Sequence, residues 1–414
     1  MSREVLLDAF RAAVTAARPE AAVRAAAQAL TRPTGRTVVV GGGKAAPGMA
    51  MAFEETWDAP LQGVVVTPYG HALERPRIIE LLEAGHPLPD VASEAAGERM
   101  LAAVRGLNRD DLVVALLSGG GSALMVAPDG VSLAEKLRIT GLLLHSGADI
   151  GGINTVRKQL SRLKGGRLAL AAAPARVVSL IVSDVVGDDL STIASGPTVP
   201  DCSTPGEALA VLERYGIASP PARQHLLAQV GRPPAKLAGG EAHLIVTNRL
   251  ALVAAQAELE QAGYTARIWS DCVTGEAREA ARTHAAQARA LQPGEALLSG
   301  GETTVTVRGG GRGGRNCEFL LALALALGEG AGLYALACDS DGIDGASSDG
   351  VNPAAGALLT PDTLMRAERL GLNARAMLDD NDAAGFFAAL GDLVVVGPTG
   401  TNVNDVRVIL RPRG

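Results

Sequence analysis

Aromatic side chains are scarce in this chain of 414 residues, where phenylalanine, tryptophan and tyrosine together make up only 3%. Hydrophobic residues still reach 47%, so a sizeable core must be built from alanine, valine and leucine. The chain also lacks basic patches interleaved with aromatic residues, and its formal net charge is −6. Both features argue against nucleic acid as a partner, because binding to a phosphate backbone depends on clustered lysine and arginine.

Cysteine is rare as well, since the four cysteines are scattered and no CxxC pair occurs. We therefore expect reduced, buried thiols in a cytoplasmic protein. No apolar run reaches about 18 residues without a breaker, so we expect no membrane-spanning segment. The N-terminal stretch is amphipathic and charged, unlike a signal peptide. The sequence leaves open whether the chain is a monomer or a homodimer.

Length and strand pattern predict two α/β domains. A single core rarely grows beyond about 250–300 residues, and the segment 218–240 carries two Pro-Pro pairs that are typical of a boundary. We place the domains at residues 1–236 and 237–414. In the first part apolar runs alternate with helical patterns, which predicts a parallel sheet covered by helices on both faces, and the same alternation restarts in the second part. In such sheets, ligands bind beyond the carboxyl ends of the strands.

The first glycine cluster is Gly-Gly-Gly-Lys at residues 41–44, directly after an apolar run. Its first and third glycines, together with Ala46, fit the dinucleotide pattern G-x-G-x-x-G/A. However, the second strand ends at residues 67–69 without a carboxylate for a ribose. The Walker A pattern fails too, because no Ser or Thr follows Lys44. What remains is a lysine beside glycines at a helix N-terminus, which suits a phosphate or a transferring phosphoryl group. A structural turn with an exposed lysine is the alternative.

A second glycine cluster, Ser118-Gly-Gly-Gly-Ser122, follows the apolar run 111–117. Its backbone N–H groups and two hydroxyls predict another nest for an anion. It is not a nucleophile elbow, because Leu116 stands two residues before Ser118, and none of the six histidines has a recognisable triad setting. The hexapeptide Ala-Leu-Leu-Ser-Gly-Gly occurs at 115–120 and again at 296–301, so we expect the same kind of turn in both halves.

A basic segment follows. Asn154, Arg157, Lys158 and Ser161 share one face of a helix that the pattern predicts over 153–171. Such a polar face is usually just solvated. Because no acidic residue compensates this one in the sequence, and glycines precede it, it favours an anionic ligand.

Acidic clusters lie at two further strand ends. The stretch 183–189 holds three carboxylates after the apolar run 176–182. Mg²⁺ prefers oxygen ligands, and a kinase needs a carboxylate to take the proton of the attacking hydroxyl. Asp184 is the first acidic residue past the strand and is predicted to fill one of these roles. The second cluster, 339–345, resembles half an EF-hand loop but lacks its downstream Glu, so a calcium site is not expected.

The most glycine-rich stretch is 308–318, with five glycines and three arginines. It lies between an alternating run, 302–307, that predicts a strand and an apolar run, 319–327, that predicts a buried helix. Backbone N–H groups at a helix N-terminus and arginine side chains both suit phosphate or carboxylate. Arg315, just before the helix, is the predicted catalytic cation. The two upstream arginines are predicted to lie on a flexible flap or in solvent.

Taken in order, these motifs resemble the glycerate 2-kinase family, the type-2 glycerate kinases with a C-terminal MOFRL domain. The matching stretches are VVGGGKA at 39–45, AGHP at 84–87, LSGGGSA at 117–123, NTVRKQLSRLKGG at 154–166, SDVVGDD at 183–189, SGPT at 195–198, SGGET at 299–303, GRGGRNCE at 311–318, DGIDG at 341–345 and GPTGTNVND at 397–405. The departures are Cys317, where the family's motif has Gln, and Ser340, where Thr is commoner.

The resemblance implies ATP-dependent phosphorylation of D-glycerate to 2-phosphoglycerate with Mg²⁺ in the cytoplasm. It also implies a Rossmann-like three-layer N-terminal domain and a smaller α/β MOFRL domain, with the active site in the cleft between them. The family's glycine-flanked lysine matches Lys44, and the arginine of its Gly-Gly-Arg-Asn motif matches Arg315, so both are expected to serve phosphoryl transfer. His86 and Asn402 lie in matching motifs, and we expect them to bind glycerate together with Arg315.

Residues and resemblance together give one set of assignments. Lys44, Arg315 and Asp184 are the predicted catalytic groups. Asp184, Asp189 and Glu302 are the metal candidates. The predicted ATP- and phosphate-binding residues are Gly42, Gly43, Ser118, Gly119, Gly120, Gly121, Ser122, Asn154 and Lys158.

Two other functions are compatible with parts of the sequence. One is an NAD(P)-dependent hydroxypyruvate reductase that uses the glycines of residues 41–44, and the missing ribose-binding acid argues against it. The other is a sugar-acid-sensing binding protein of two α/β lobes, which does not explain why cations and acidic clusters occur together.

Overall fold

The computed structural model describes residues 2–72, 75–231, 237, 240–345 and 354–413. The chain divides into two compact units. One is Pro19–Ile245, and the other combines Met1–Arg18 with Val246–Gly414. Among the described residues, no helix has both the length and the apolar character needed to cross a membrane.

The first unit alternates strands with helices, numbered here along the whole chain. Its elements are α2 (Glu20–Ala29), β1 (Thr37–Gly42), α3 (Ala46–Thr56), β2 (Leu61–Pro68), β3 (Glu80–Ala84), α4 (Val91–Val104), β4 (Leu112–Leu117), α5 (Gly121–Leu124), α6 (Leu133–His145), α7 (Ile150–Gln159), α8 (Arg167–Ala172), β5 (Arg176–Val182), a 3₁₀ turn (Ile193–Ser195), α9 (Pro205–Arg214), α10 (Pro220–Leu227) and β6 (Gly240–Val246).

In the described part of this unit the sheet has six strands in the order β3-β2-β1-β4-β5-β6. The pairs β1–β2, β1–β4, β2–β3 and β4–β5 are all parallel. Every residue of β1 and β4 is buried, as expected for central strands covered on both faces. This is the Rossmann strand order, and the order reverses between β1 and β4. The Rossmann-like α/β prediction is confirmed, and the reversal point marks the expected ligand crevice.

The predicted helix over 153–171 is wrong in its middle. The structure ends α7 at Gln159 and begins α8 at Arg167. Gly165 and Gly166 adopt left-handed φ angles of +59° and +77°, which an α-helix cannot contain. Ser161 therefore lies outside the helix and does not share a helical face with Asn154.

The second unit builds a mixed sheet. Its elements are α1 (Ser2–Ala17), α11 (Asn248–Gln261), β7 (Thr265–Val273), α12 (Ala277–Arg289), β8 (Glu295–Gly301), α13 (Arg315–Leu327), β9 (Tyr334–Asp339), β10 (Gly356–Leu359), α14 (Thr363–Arg369), α15 (Ala374–Asp379), α16 (Ala383–Leu390), β11 (Leu393–Val394) and β12 (Asp405–Leu410).

Among the described residues of this unit the strand order is β11-β10-β9-β12-β8-β7. The last strand, β12, inserts between β8 and β9 and is antiparallel to both, while β7 and β8 are parallel. The α/β class is confirmed, and the sheet is mixed because the chain returns through its centre. The strand predicted at 302–307 is wrong, since only Thr304 forms an isolated bridge, to Glu276.

The units differ from the predicted domain ranges at two places. The predicted boundary at residue 236 lies outside the described residues. Strand β6 is the edge of the first sheet, although the sequence assigned it to the second domain. Helix α1 belongs to the second unit because it packs on α11. The Thr401 hydroxyl also donates to the Ala17 carbonyl oxygen at 2.7 Å.

A core substitution tests the placement of α1. Phe10 is 1% exposed on the buried face of this helix. We expect Phe10→Ala to lower the free energy of unfolding by about 3–5 kcal/mol, as for other buried aromatic truncations. Hydrogen exchange should localise the loss to α11 and leave β1 protected. Leu144→Ala, at a position that is 58% exposed, serves as control and should stay within about 0.5 kcal/mol. Faster exchange in β1 instead of α11 would contradict the assignment.

Candidate active site

The two glycine clusters of the first unit meet at the point where its strand order reverses. The backbone N–H of Lys44 donates to the Gly119 carbonyl oxygen at 2.8 Å, and the N–H of Ala45 donates to the Ser118 hydroxyl at 3.1 Å. A β-carbon on Gly43 would lie 2.1 Å from that hydroxyl oxygen, so only glycine permits this approach. The predicted phosphate loops therefore form one structure beyond the carboxyl ends of β1 and β4.

Free backbone donors remain in the second loop. In the part of the chain that the structure describes, the N–H groups of Gly119, Gly120 and Ser122 have no hydrogen-bond acceptor. The neighbouring N–H groups are used, because Ser118 donates to Gly42 and Gly121 donates to Ser118. Unpaired N–H groups that follow one another in a turn are the donors of an anion-binding nest.

Residues that follow β3 and β5 also contact the Ser118–Ser122 loop. Gly120 has a φ of +85°, and a β-carbon built on it would lie 3.0 Å from Cδ2 of His86. The hydroxyl of Ser122 lies 2.8 Å from the hydroxyl of Ser195. His86 was predicted as a substrate ligand, and the structure places it against the glycine loop. The contribution of Ser195 was not predicted.

Lys158 is less exposed and better compensated than the sequence suggested. Its side chain is 9% exposed, and Nζ lies 3.6 Å from Oδ1 of Asp201. Asn154, one turn earlier on α7, accepts a 3.4 Å hydrogen bond from Arg157 through its Oδ1. The expectation of an uncompensated basic face is wrong for Lys158, because its counter-ion comes from residues distant in sequence. Their phosphate-binding roles stay predictions.

The two acidic candidates beyond β5 differ in their surroundings. Asp184 is half-buried, two residues after the strand ends. Asp189 accepts hydrogen bonds from the N–H and hydroxyl of Ser191, both at 2.9 Å, and from the Thr192 hydroxyl at 2.8 Å. Burial opposes its ionisation, but these donors outweigh burial and lower the pKa of Asp189. Asp189 thus closes a turn, while Asp184 stays the better candidate for chemistry.

In the second unit, Arg315 is held by carboxylates from three strand ends. It donates to Oδ1 of Asp405 at 2.8 Å and to Oδ2 of Asp339 at 2.6 Å. A third contact joins Nη1 to Oε1 of Glu302 at 3.2 Å. Burial alone would lower the pKa of Arg315, but the three carboxylates outweigh it and raise the pKa. The guanidinium is therefore charged and fixed in position.

Asp405 is shared by two arginines, which the sequence did not lead us to expect. Arg407, two residues further along β12, is fully buried and also donates to the Asp405 carboxylate. Its guanidinium lies 5.0 Å from the ring centre of Phe319, and burial lowers its pKa. The only sequence signal was a pair of charged residues inside an otherwise apolar strand.

Much of the backbone of the glycine-rich loop before α13 donates to protein acceptors. Its N–H groups at Arg308 and Gly310 donate to side chains of Asn381, at 2.7 Å, and Asp380, at 3.1 Å. The first free N–H groups of α13, those of Asn316 and Cys317, are capped by the carboxylate of Asp344 at 2.9 and 2.8 Å. Protein acceptors therefore take these donors. Among the described residues, the N–H groups of Gly313, Gly314 and Arg315 have no acceptor, so the expectation of an anion at the start of α13 stays a prediction.

The loop that carries Arg308 and Arg312, predicted to be a flexible flap or to lie in solvent, has backbone contacts with the rest of the second unit. The N–H of Arg312 donates to Asp382 at 3.0 Å, so the backbone of this loop is held against the segment after α15. The side chains of Arg308 and Arg312 are exposed, as expected.

Asn402, the other predicted glycerate ligand, lies three residues before β12, and its Oδ1 accepts a hydrogen bond from the N–H of Asn404 at 3.1 Å.

Comparison with known proteins agrees with this architecture. Residues 5–228 match a family described as domain of unknown function DUF4147, and residues 295–405 match the MOFRL family. A D-glycerate 2-kinase of Thermotoga maritima is 40% identical, covering 98% of this chain and 97% of its own. The crystal structure of a T. maritima glycerate kinase superimposes with a TM-score of 0.89 at 39% identity over 99% of both chains. An Agrobacterium vitis protein, 50% identical over 99% of this chain and 94% of its own, carries the provisional name hydroxypyruvate reductase.

Rossmann strand order and paired glycine loops beside a lysine are typical of an α/β protein that binds phosphate groups, and the full-length kinase relatives make this chain a two-domain α/β phosphotransferase. The full-length matches are more specific. The chain belongs to the glycerate kinase family, which combines the DUF4147 and MOFRL domains.

Two glycines in the loop before α13 provide a matched test of its packing. A β-carbon on Gly314 would lie 2.3 Å from Oδ1 of Asp344, whereas one on Gly310 would meet nothing within 4 Å. We expect Gly314→Ala to displace the capping carboxylate and to cost about 1–3 kcal/mol. Gly310→Ala should be neutral or slightly stabilising, by up to about 1 kcal/mol. Thermal unfolding of both variants measures the difference, and equal midpoints would show that Asp344 does not cap α13.

Proposed function

We propose that this protein transfers the γ-phosphoryl group of ATP to the 2-hydroxyl of D-glycerate, giving 2-phosphoglycerate and ADP. The observation that carries the proposal is the free nest of N–H groups at Gly119, Gly120 and Ser122, hydrogen-bonded through its loop to the backbone of Lys44. The names of the Thermotoga maritima relatives, D-glycerate 2-kinase and glycerate kinase, support the same activity.

The phosphates of ATP would bind where the strand order of the first unit reverses. Gly42, Gly43 and the loop Ser118–Ser122 supply a backbone that can approach an anion closely, and Lys44 supplies positive charge at the start of α3. Asn154 and Lys158 are assigned to the outer phosphates. Because Asp201 already compensates Lys158, we give it a smaller share of the binding.

Phosphoryl transfer requires positioned groups and charge stabilisation more than covalent chemistry. Lys44 and Arg315 are assigned to the charge that develops on the transferring group. The carboxylates of Glu302, Asp339 and Asp405 hold the Arg315 guanidinium in one orientation, so little reorganisation accompanies the reaction. Asp184 is assigned as the base that accepts the proton of the 2-hydroxyl, or as a ligand of the metal.

Mg²⁺ fits the donors that are present. Among the described residues no group of three or more His, Cys, Asp or Glu side chains could hold a metal ion. Mg²⁺ bound with ATP needs no such cage, because it usually takes one or two carboxylates and completes its shell with phosphates and water. Asp184 in the first unit and Glu302 in the second are each candidates for such a carboxylate, and Asp189 fits less well because its turn occupies both its oxygens. When bound, the ion neutralises charge on the phosphates.

Glycerate needs a cation for its carboxylate and acceptors or donors for its hydroxyls. Arg315 provides the cation, and His86 and Asn402 are assigned to the remaining contacts. His86 suits this role because it lies against Gly120, beside the loop assigned to the phosphates.

A hydroxypyruvate reductase is the second candidate, because an Agrobacterium vitis relative carries that provisional name and residues 41–46 fit the dinucleotide pattern. The end of β2 argues against it, since residues 67–69 are Thr, Pro and Tyr and give no carboxylate for a ribose.

One assay separates the candidates. The protein is mixed with D-glycerate and Mg-ATP while ADP is followed, and in parallel with hydroxypyruvate and NADH or NADPH. The proposal expects ADP release over many turnovers only in the first mixture. Cofactor oxidation without ADP release would establish the reductase instead, and turnover in neither mixture would favour a binding protein.

Charge removal tests the catalytic assignments. We expect Lys44→Ala and Arg315→Ala each to lower kcat by about 10²–10³-fold, as when one transition-state donor is removed. Arg308→Ala removes an exposed arginine from the same glycine-rich loop as Arg315 and should stay within about twofold of the wild type. Steady-state ADP release measures all three. Near-full activity of either assigned variant would show that its assignment is wrong.

A further inference from the structure

Lys164 is a buried lysine whose contacts lead directly to the phosphate loop. It is 1% exposed, and its Nζ donates to the carbonyl oxygen of Ser122 at 2.6 Å. Within the described residues it forms no ion pair. Burial and the charges of Arg157 and Lys136 hold its pKa well below the usual value. Burying a lysine without a carboxylate partner costs free energy, and the hydrogen bond to Ser122 is the contact that offsets part of this cost.

The two residues after Lys164 bind the turn beyond β5. The N–H of Gly165 donates to the Ser195 carbonyl oxygen at 3.0 Å, and the N–H of Gly166 donates to the Gly196 carbonyl oxygen at 2.7 Å. The segment Lys164–Gly166, which we name the clamp, therefore contacts two loops at once. Its side chain holds the loop after β4, and its backbone holds the turn after β5.

The turn that the clamp holds has an unfavourable backbone. Ala194, Ser195 and Gly196 all have positive φ angles, of +50°, +63° and +57°. For two successive residues with a β-carbon this conformation is strained, and it persists only where the surroundings enforce it. The clamp supplies that enforcement, and the Ser195 hydroxyl then meets the Ser122 hydroxyl at 2.8 Å.

We propose that Lys164 is a positioning residue for ATP, which fixes the N–H groups of the Ser118–Ser122 loop by anchoring the Ser122 carbonyl oxygen to the turn at Ser195. This inference rests on the proposed function of that loop. Ser122, whose carbonyl oxygen Lys164 holds, carries one of the free N–H groups of the described loop, and Gly119 and Gly120 precede it in the same loop. Loss of the anchor leaves the donors present but no longer aligned.

The chain contains a matched lysine whose role is structural. Lys136 is 6% exposed, and its Nζ donates to two carbonyl oxygens at the end of α7, those of Arg157 and Leu160. Both lysines are buried donors to backbone carbonyls. Only Lys164 reaches the Ser118–Ser122 loop, whereas Lys136 holds the end of the helix that carries Lys158. A loss of function that arises from general destabilisation should therefore appear in both variants.

Steady-state kinetics of Lys164→Met, Lys136→Met and Ser195→Ala test the proposal at a temperature where circular dichroism shows each folded. Lys164→Met should raise KM for ATP by about tenfold or more, as when a buried hydrogen bond is lost, and leave KM for glycerate within about twofold. Ser195→Ala should raise KM for ATP in the same direction. Lys136→Met should lower the unfolding temperature, leave KM for glycerate near wild type and raise KM for ATP by at most about threefold, because it reaches only the helix that carries Lys158.

Wild-type KM for ATP in Lys164→Met, or an equal increase in Lys136→Met, would overturn the inference. If Lys164→Met does not fold, Ser195→Ala decides, and an unchanged KM for ATP there has the same meaning. Failure of the proposed function is a separate outcome. In that case the wild type releases no ADP with glycerate, and calorimetric titration of ATP into the same variants replaces KM as the readout.

Discussion

The parallel pairing of β1 with β4 is the constraint from which the first unit's site follows. Its register places Gly42 beside Leu117, so the loops that leave the two strands start side by side. Only glycine permits the approach of residue 43 to Ser118. Among the described residues, the resulting contacts leave three N–H groups of the second loop without an acceptor. An anion site thus arises from strand order and backbone geometry, and Lys44 adds charge to it.

In the second unit the fixed positive charge comes from a side chain. The donors at the start of α13 are capped by Asp344, and the cation is Arg315, held by carboxylates at the ends of β8, β9 and β12. Burial of Asp405 between Arg315 and Arg407 is tolerated because each charge has a partner. The antiparallel insertion of β12 makes this arrangement possible, since it brings Asp405 beside Asp339.

The sequence predicted the first unit better than the second, for a physical reason. Continuous apolar runs followed by glycine clusters predicted β1 and β4, together with Lys44 and the loop Ser118–Ser122. This worked because ligands of a parallel sheet bind beyond the carboxyl ends of its strands. Contacts between segments distant along the chain were not predictable in this way. Lys164 lay within the predicted helix 153–171, and nothing in the sequence indicated that Asp405 contacts Arg315. The alternating run 302–307 looked like a strand but lacks a partner strand to pair with.

The central claim is that the chain phosphorylates glycerate at its 2-hydroxyl, and the product tests it most directly. D-Glycerate and Mg-ATP are incubated with the protein, and the new phosphate ester is identified by phosphorus NMR with proton coupling. Coupling of the phosphorus to the single proton on carbon 2 is the predicted result. Coupling to the two protons on carbon 3 would contradict the assigned acceptor, and the absence of any phosphate ester would contradict the kinase itself.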